Sequence, residues 1–197
     1  MDTQEQARIR AQKQAQRQAG LAARRAMEPA ARQAADAAIC AQILRSEGYR
    51  RAERLLLYAA TGGEVDLSAV AAQARRDGKR VAWPVCLPGH RMAAAEPQGA
   101  GAWRVGAYGI PAPVLERSCL LAPESLELVL VPCAAFDRRC RRIGMGGGYY
   151  DRYLPLCTGA RVWGVAYECQ LVPEAAAETH DRPMDAYVTE RRILWND

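Results

Sequence analysis

Five short apolar runs restrict what this chain can fold into: Leu55 to Ala59, Arg80 to Val85, Leu126 to Val131, Arg161 to Ala166 and Ala186 to Thr189. The first, Leu55-Leu56-Leu57-Tyr58-Ala59, is continuous rather than alternating, as a strand covered on both faces requires. Stretches with helical spacing separate the runs, among them Ala69 to Asp77, closed by Gly78, and Tyr149 to Leu156. Alternating strands and helices predict an α/β domain, a three-layer α/β/α sandwich with a mostly parallel central sheet. Arg91 to Ala95 is expected to pair beside the second run across the turn Pro88-Gly89, and Ile193 to Trp195 to close the sheet. The Gly/Pro-rich stretch from Glu96 to Pro113 reads as a loop holding a short strand at most. With 197 residues, half of them apolar, and no long linker, the chain is expected to form one domain spanning 1–197.

After the third run the sequence reads Phe136-Asp137-Arg138-Arg139-Cys140-Arg141-Arg142-Ile143-Gly144-Met145-Gly146-Gly147-Gly148-Tyr149-Tyr150-Asp151-Arg152. A strand, a basic loop, four glycines and a helix start are the parts of an anion site. Glycines let consecutive N–H groups approach one phosphate, and a helix N-terminus adds positive potential. The four arginines add mobile positive charge, and Asp151 in the first helical turn is placed to hold a divalent ion against phosphate oxygens. The Lys-Ser/Thr ending of a P-loop is missing, and Tyr149 stands where the third glycine of a dinucleotide turn would fall. A flexible loop followed by a helix cap fits the glycines equally well.

Net charge is +5, and the segment before Glu28 carries six basic against two acidic residues, so +4 of it sits there. Residues 3 to 27 favour a helix with a weak point at Gly20. Arg10, Lys13, Arg17 and Arg24 share one side of it, which suits either a solvated face or a polyphosphate partner. A second helix is expected from Pro29 to Leu44, ended by Gly48. Glu64 and Asp66 follow the first strand at its carboxyl end, where open α/β sheets place ligands, and Asp66 is also suited to cap the next helix. The seven cysteines are scattered without a Cys-x-x-Cys pair and read as reduced thiols. No apolar stretch is long enough for a bilayer span, and the start has no signal-peptide core, so a cytoplasmic protein is expected. His180-Asp181 has the residue types of a catalytic pair, but no nucleophile motif accompanies it.

Several segments together resemble the 5-formyltetrahydrofolate cyclo-ligase (methenyltetrahydrofolate synthetase) family: Val131-Pro132, Ala135 to Arg139, Arg142-Ile143-Gly144, and Gly146-Gly147-Gly148-Tyr149-Tyr150-Asp151-Arg152. Tyr167 to Pro173, His180 to Asp185 and Val188-Thr189-Glu190 follow in the same order, with Gly63 to Leu67 and Gly109-Ile110-Pro111 upstream. The resemblance implies an α/β fold and ATP-dependent conversion of 5-formyltetrahydrofolate to 5,10-methenyltetrahydrofolate, with ADP and phosphate released. It implies that Lys13 and Arg17 hold nucleotide phosphates, and that Arg142, Ile143, Gly144, Met145, Gly146, Gly147, Gly148, Tyr149 and Tyr150 wrap ATP. Glu64, Met145 and Tyr149 would position the folate, and Asp151 with Asp185 would seat Mg²⁺. No covalent nucleophile is implied, since phosphoryl transfer asks mainly for positioning and charge neutralisation. The expected partners are 5-formyltetrahydrofolate and ATP, with neither nucleic acid nor membrane, for a monomeric protein.

Four positions depart from the family pattern. Met145 stands where members carry a larger polar, aromatic or basic residue, Cys133 and Cys140 replace usual glycines, and Ala112 replaces a usual glutamate. A glycine with positive φ does not readily accept a Cβ, so altered loop geometry is expected at the two cysteines. A relative that binds folate and nucleotide without closing the ring is the alternative these departures leave open.

Overall fold

The structure, a computed structural model, describes residues 3–178 and 181–196. Eight strands form the main sheet: β1 (Arg54–Leu56), β2 (Arg80–Leu87), β3 (Arg91–Pro97), β6 (Ser118–Leu121), β7 (Leu128–Pro132), β10 (Arg161–Val165), β11 (Ala186–Val188) and β12 (Ile193–Trp195). Their order is β12-β11-β10-β7-β1-β2-β3-β6. The five strands from β11 to β2 run parallel; β12 at one edge and β3 beside β2 run against them, and β6 at the other edge pairs antiparallel with β3. Two small ribbons stand outside the sheet, β4 (Trp103–Val105) with β5 (Pro111–Pro113) and β8 (Ala135–Phe136) with β9 (Arg142–Ile143).

Alternate side chains of the apolar runs serve two different cores. Leu55, Leu57, Trp83, Leu128, Leu130, Trp163, Val165 and Val188 meet α2 (Pro29–Arg45), α3 (Glu47–Arg51) and α4 (Ser68–Arg76) on one face. Leu56, Ala82, Val129, Val131, Val162 and Tyr187 point to the other, where α5 (Tyr149–Tyr153), a following 3₁₀ turn and Phe136 cover them. Covering both faces removes the need for polar alternation, which is why the runs are continuous. The layers are unequal, because α5 is five residues long and the turn Leu154–Leu156 completes the stretch expected as helix to Leu156.

The first helix, α1 (Thr3–Arg25), lies against β8, β9 and the turn Glu168–Gln170 rather than on a sheet face. Gly20 permits this. A Cβ there would run into the Ala134 carbonyl, so the residue expected to weaken the helix is where the helix approaches another backbone. The second helix stops at Arg45, earlier than Gly48; Ser46 accepts the Tyr49 amide at 3.1 Å and starts α3, which contains Gly48. Asp66 accepts the Ser68 amide at 2.8 Å, beside the start of α4. Strand β6 has no apolar run to announce it, because it lies at the sheet edge with two exposed residues. The β4–β5 ribbon likewise lies within the stretch expected as a loop with one short strand.

Candidate active site

From β1 the chain passes to β2 on one side, while from β7 it passes to β10 on the other, and β1 and β7 are neighbours. Segments leaving two such strands diverge and open a crevice beyond their carboxyl ends. Tyr58 to Glu64 leaves β1, and the stretch from Pro132 to Tyr150 follows β7. Between them lies a cavity of about 410 Å³ whose walls include Tyr58, Glu64, Cys86, Tyr108, Met145 and Tyr149. A second cavity of about 370 Å³ adjoins it, walled by Lys13, Arg17, Arg142, Asp151, Glu178 and Asp181. Arg142, Gly144, Gly146, Gly148 and Asp151 line both.

The first cavity is mainly apolar and aromatic, with one buried carboxylate. Glu64 is 9% exposed, and its carboxylate accepts the Thr61 amide at 3.1 Å. Burial pushes the Glu64 pKa up, against the opposing pull of the Thr61 amide and the Arg24 charge. Around it stand Tyr58, whose hydroxyl donates to the Val65 carbonyl at 3.0 Å, and Tyr150, beneath the Arg142 guanidinium at 5.5 Å. The buried Tyr150 hydroxyl has no hydrogen-bond partner among the described residues. At the mouth, Tyr149 lies edge-on to Tyr108 with centroids 6.4 Å apart and their hydroxyls 3.5 Å apart. The hydrogen bond with Tyr108, then burial, pushes the Tyr149 phenol up to about 12.

Polar contacts hold the long loop that separates the cavities. The Asp137 carboxylate, 1% exposed, accepts the amides of Arg139 at 2.9 Å, Arg141 at 3.0 Å and Ala175 at 2.9 Å, and Arg141 Nε at 2.7 Å. Cys140 takes φ 56° inside this turn. The cysteine therefore keeps the left-handed backbone expected of a glycine, at a cost of roughly 1–2 kcal/mol, and Cys133 needs no positive φ. Gly146 and Gly148 take φ 96° and 68°, and Gly148 precedes α5 directly. So short a helix has a small dipole, and the anion-binding character expected here falls to the loop and the side chains around it.

In the second cavity Lys13 and Arg142 are paired with carboxylates. Lys13 Nζ lies 2.8 Å from Glu178 and 2.5 Å from Asp181. Burial works against its ammonium, but Asp181 and Glu178 outweigh it and hold the Lys13 pKa above the ordinary value. Arg142 pairs with Asp151, and Arg17 Nε donates to the Gly144 carbonyl at 2.7 Å. Gln16 fixes the neighbouring segment by donating to Glu174 O at 2.7 Å and accepting the Ala176 amide at 2.9 Å.

The sequence profile of the 5-formyltetrahydrofolate cyclo-ligase family matches residues 9–190. The chain belongs to this family. It is 30% identical over 146 residues to the 5-formyltetrahydrofolate cyclo-ligase of Escherichia coli K12, covering 72% of this chain and 80% of that one. It is 27% identical over 176 residues to a probable 5-formyltetrahydrofolate cyclo-ligase of Schizosaccharomyces pombe, covering 80% and 85%. The structure of Aquifex aeolicus 5,10-methenyltetrahydrofolate synthetase superposes with a TM-score of 0.83 at 27% identity, over 93% of this chain and 92% of that one. The Mycoplasma pneumoniae 5,10-methenyltetrahydrofolate synthetase, 20% identical with a TM-score of 0.74 over 90% and 98%, shares the fold.

Within this cyclo-ligase fold, most residues singled out in the sequence meet at the crevice. Lys13, Arg17 and Ile143 line the polar cavity, and Glu64, Met145, Gly147, Tyr149 and Tyr150 the apolar one. Asp185 is elsewhere. It stands beside the amino end of β11, where its carboxylate accepts the Val162 amide at 2.7 Å, and it lines neither cavity. Asp181, read in the sequence only as a possible partner of His180, and Glu178, not singled out there, line the polar cavity with Asp151. The signal was present, since Asp181 lies in the same acidic stretch as Asp185, but only the chain path separates the two. Arg141 is spent on Asp137 and Glu174, and Arg138 and Arg139 line neither cavity, so one of the four loop arginines, Arg142, faces the site. Tyr108 lines the apolar cavity, whereas Trp103 packs on Trp83 with centroids 5.1 Å apart. His180 lies outside the described residues.

Proposed function

We propose that the chain is a 5-formyltetrahydrofolate cyclo-ligase, converting 5-formyltetrahydrofolate and ATP to 5,10-methenyltetrahydrofolate, ADP and phosphate. The observation that carries this reading, beside family membership, is the meeting of two unlike cavities at one glycine loop. A reduced folate has a flat heterocycle rich in N–H groups, which suits aromatic walls and one buried carboxylate acceptor, Glu64. A triphosphate suits a cavity lined by Arg10, Lys13, Arg17 and Arg142. With folate on the apolar side and phosphates on the polar side, the formyl oxygen meets the γ-phosphoryl group at the shared wall.

The formyl oxygen attacks that phosphorus and the bond to the β-phosphate oxygen breaks, releasing ADP. N10 of the folate then attacks the activated formyl carbon and gives up its proton to solvent, the carbon–oxygen bond breaks, and phosphate departs with the former formyl oxygen. This chain's share is positioning and charge neutralisation: Arg17 and Arg142 face developing phosphate charge, and Tyr149 and Met145 hold the folate against the loop. Glu64, paired with neither Lys13 nor Arg142, remains an acceptor for the heterocycle.

Asp151, Asp181 and Glu178 are the carboxylates of the polar cavity, and Asp151 with Asp181 would suit Mg²⁺, which takes one or two protein carboxylates plus phosphate and water. When bound, the ion would neutralise phosphate charge. Each carboxylate now pairs with a cation, Arg142 or Lys13, and those cations become available to the phosphates as the carboxylates turn to the metal. Cysteines scattered without a Cys-x-x-Cys pair suit a reducing cytoplasmic setting, and among the described residues no helix is long and apolar enough to cross a membrane. The test is spectrophotometric: methenyltetrahydrofolate should accumulate from 5-formyltetrahydrofolate only when ATP and Mg²⁺ are both present. Folate binding without product would leave a binding protein in place of the enzyme.

A further inference from the structure

Arg24 is 3% exposed and is the only buried cationic residue among those described. Burying a guanidinium is costly unless its donors are met and its charge is answered. Here one donor reaches the neutral Gly62 carbonyl at 2.9 Å, and Nε is buried with no hydrogen-bond partner among the described residues. The residue sits beneath the turn that presents Glu64. Gly62 and Gly63 both take positive φ, 55° and 79°, and the Glu64 amide closes the turn on Thr61 O at 3.0 Å. Arg32 flanks Gly63 and donates to the Arg24 carbonyl at 3.0 Å, so the far end of α1 is itself tied down. Lys13, Arg17, Gly20 and Arg24 follow helical spacing along one side of α1, which therefore touches the polar cavity, the glycine loop, the end of β7 and the Glu64 turn in succession.

We infer that Arg24 is a positioning residue for Glu64: it anchors the turn through Gly62 and answers the carboxylate's charge from beneath, leaving the cavity-facing oxygen for the folate. This rests on the reading of Glu64 as the folate acceptor. Other titratable groups facing Glu64 are Tyr58 at the end of β1, Cys133 after β7 and Tyr150 on α5; burial pushes all three up, Cys133 to about 12. All three stay neutral at physiological pH, so Arg24 is the charge that offsets Glu64.

The experiment measures folate affinity by calorimetry with a non-hydrolysable ATP analogue, across pH, for Arg24→Met, Arg24→Gln, Arg24→Lys, Glu64→Gln and the Arg24→Met/Glu64→Gln pair, with the analogue's own affinity as control. Arg24→Met and Arg24→Gln should weaken folate binding roughly tenfold, shift its acid limb to higher pH, and leave analogue affinity unchanged. Arg24→Lys should restore the acid limb. The paired variant should be no worse than Glu64→Gln alone, because one residue acts through the other. Arg24→Gln keeps a donor for Gly62 and serves if the methionine variant does not fold. An unmoved acid limb, equal losses for both ligands, or additive losses in the pair would overturn the inference while Glu64→Gln still weakens folate. No effect of Glu64→Gln would remove the Glu64 reading and this inference with it.

Discussion

The two cavities differ in how they are prepared for their ligands. The apolar one is already built: its aromatic walls are packed, and Glu64 is held buried and raised in pKa with a single amide bonded to its carboxylate. In the polar one, Lys13 is closed on Glu178 and Asp181, and Arg142 on Asp151. A site for a neutral ring can be left standing, since aromatic walls support one another. Bringing four cations together without phosphate would be repulsive, and two of them, Lys13 and Arg142, are paired with the protein's own carboxylates. On the proposed assignment, folate binding would add contacts, whereas nucleotide binding would exchange one set of ion pairs for another.

The largest effects should come from carboxylates at the junction. Asp151→Asn should slow turnover on the order of 10²-fold or more with the fold intact, measured by initial rates across Mg²⁺ concentration. Asp181→Asn should raise the Mg²⁺ requirement in the same assay, and an unchanged requirement would separate Asp181 from the metal. Next comes Glu64→Gln, expected to weaken folate by about 1.5–3 kcal/mol with little change for ATP. Glu64 also carries a stability signature. A carboxyl whose folded pKa is raised contributes stability that is full below its unfolded value and lost as pH rises through the folded value. Glu64→Gln should therefore melt higher than the parent at neutral pH, with the gap closing towards acid; equal melting at every pH would show that the buried charge costs nothing.

The exchange on the polar side predicts a smaller effect and a salt dependence. Arg17→Ala should weaken ATP more than Lys13→Ala, because Lys13 must abandon two carboxylates to reach phosphate while Arg17 gives up at most a carbonyl and an amide. Raising salt should increase the KM for ATP more steeply than that for folate. Equal salt slopes, or equal losses in the two variants, would erase the contrast between the cavities. The smallest change is expected at Asp185, where replacement by Asn should lower stability by about 1 kcal/mol through the Val162 amide and leave the Mg²⁺ requirement alone.

The sequence by itself determined the layers and the loop. Continuous apolar runs are what strands covered on both faces require, and the stretch from Arg142 to Asp151 carries its glycines and acid in the order in which they line the site. The resemblance carried by that stretch also pointed to Glu64, Lys13 and Arg17, and these line the two cavities. Tertiary structure decided which charge meets which. Arg138, Arg139, Arg141 and Arg142 are equivalent in sequence, yet a buried Asp137 takes Arg141 and leaves Arg142 to the site. Asp181 and Asp185 lie four residues apart, and the path of the chain into β11 sends one to the polar cavity and the other to the Val162 amide. Gly20 reads locally as a weak point and is a contact with Ala134. Local patterning reports periodicity and backbone freedom because these belong to neighbours in the chain. The partner of a charge or the approach of a helix is set by residues more than a hundred positions away, as between Gly20 and Ala134 or Lys13 and Asp181, and no local period encodes it.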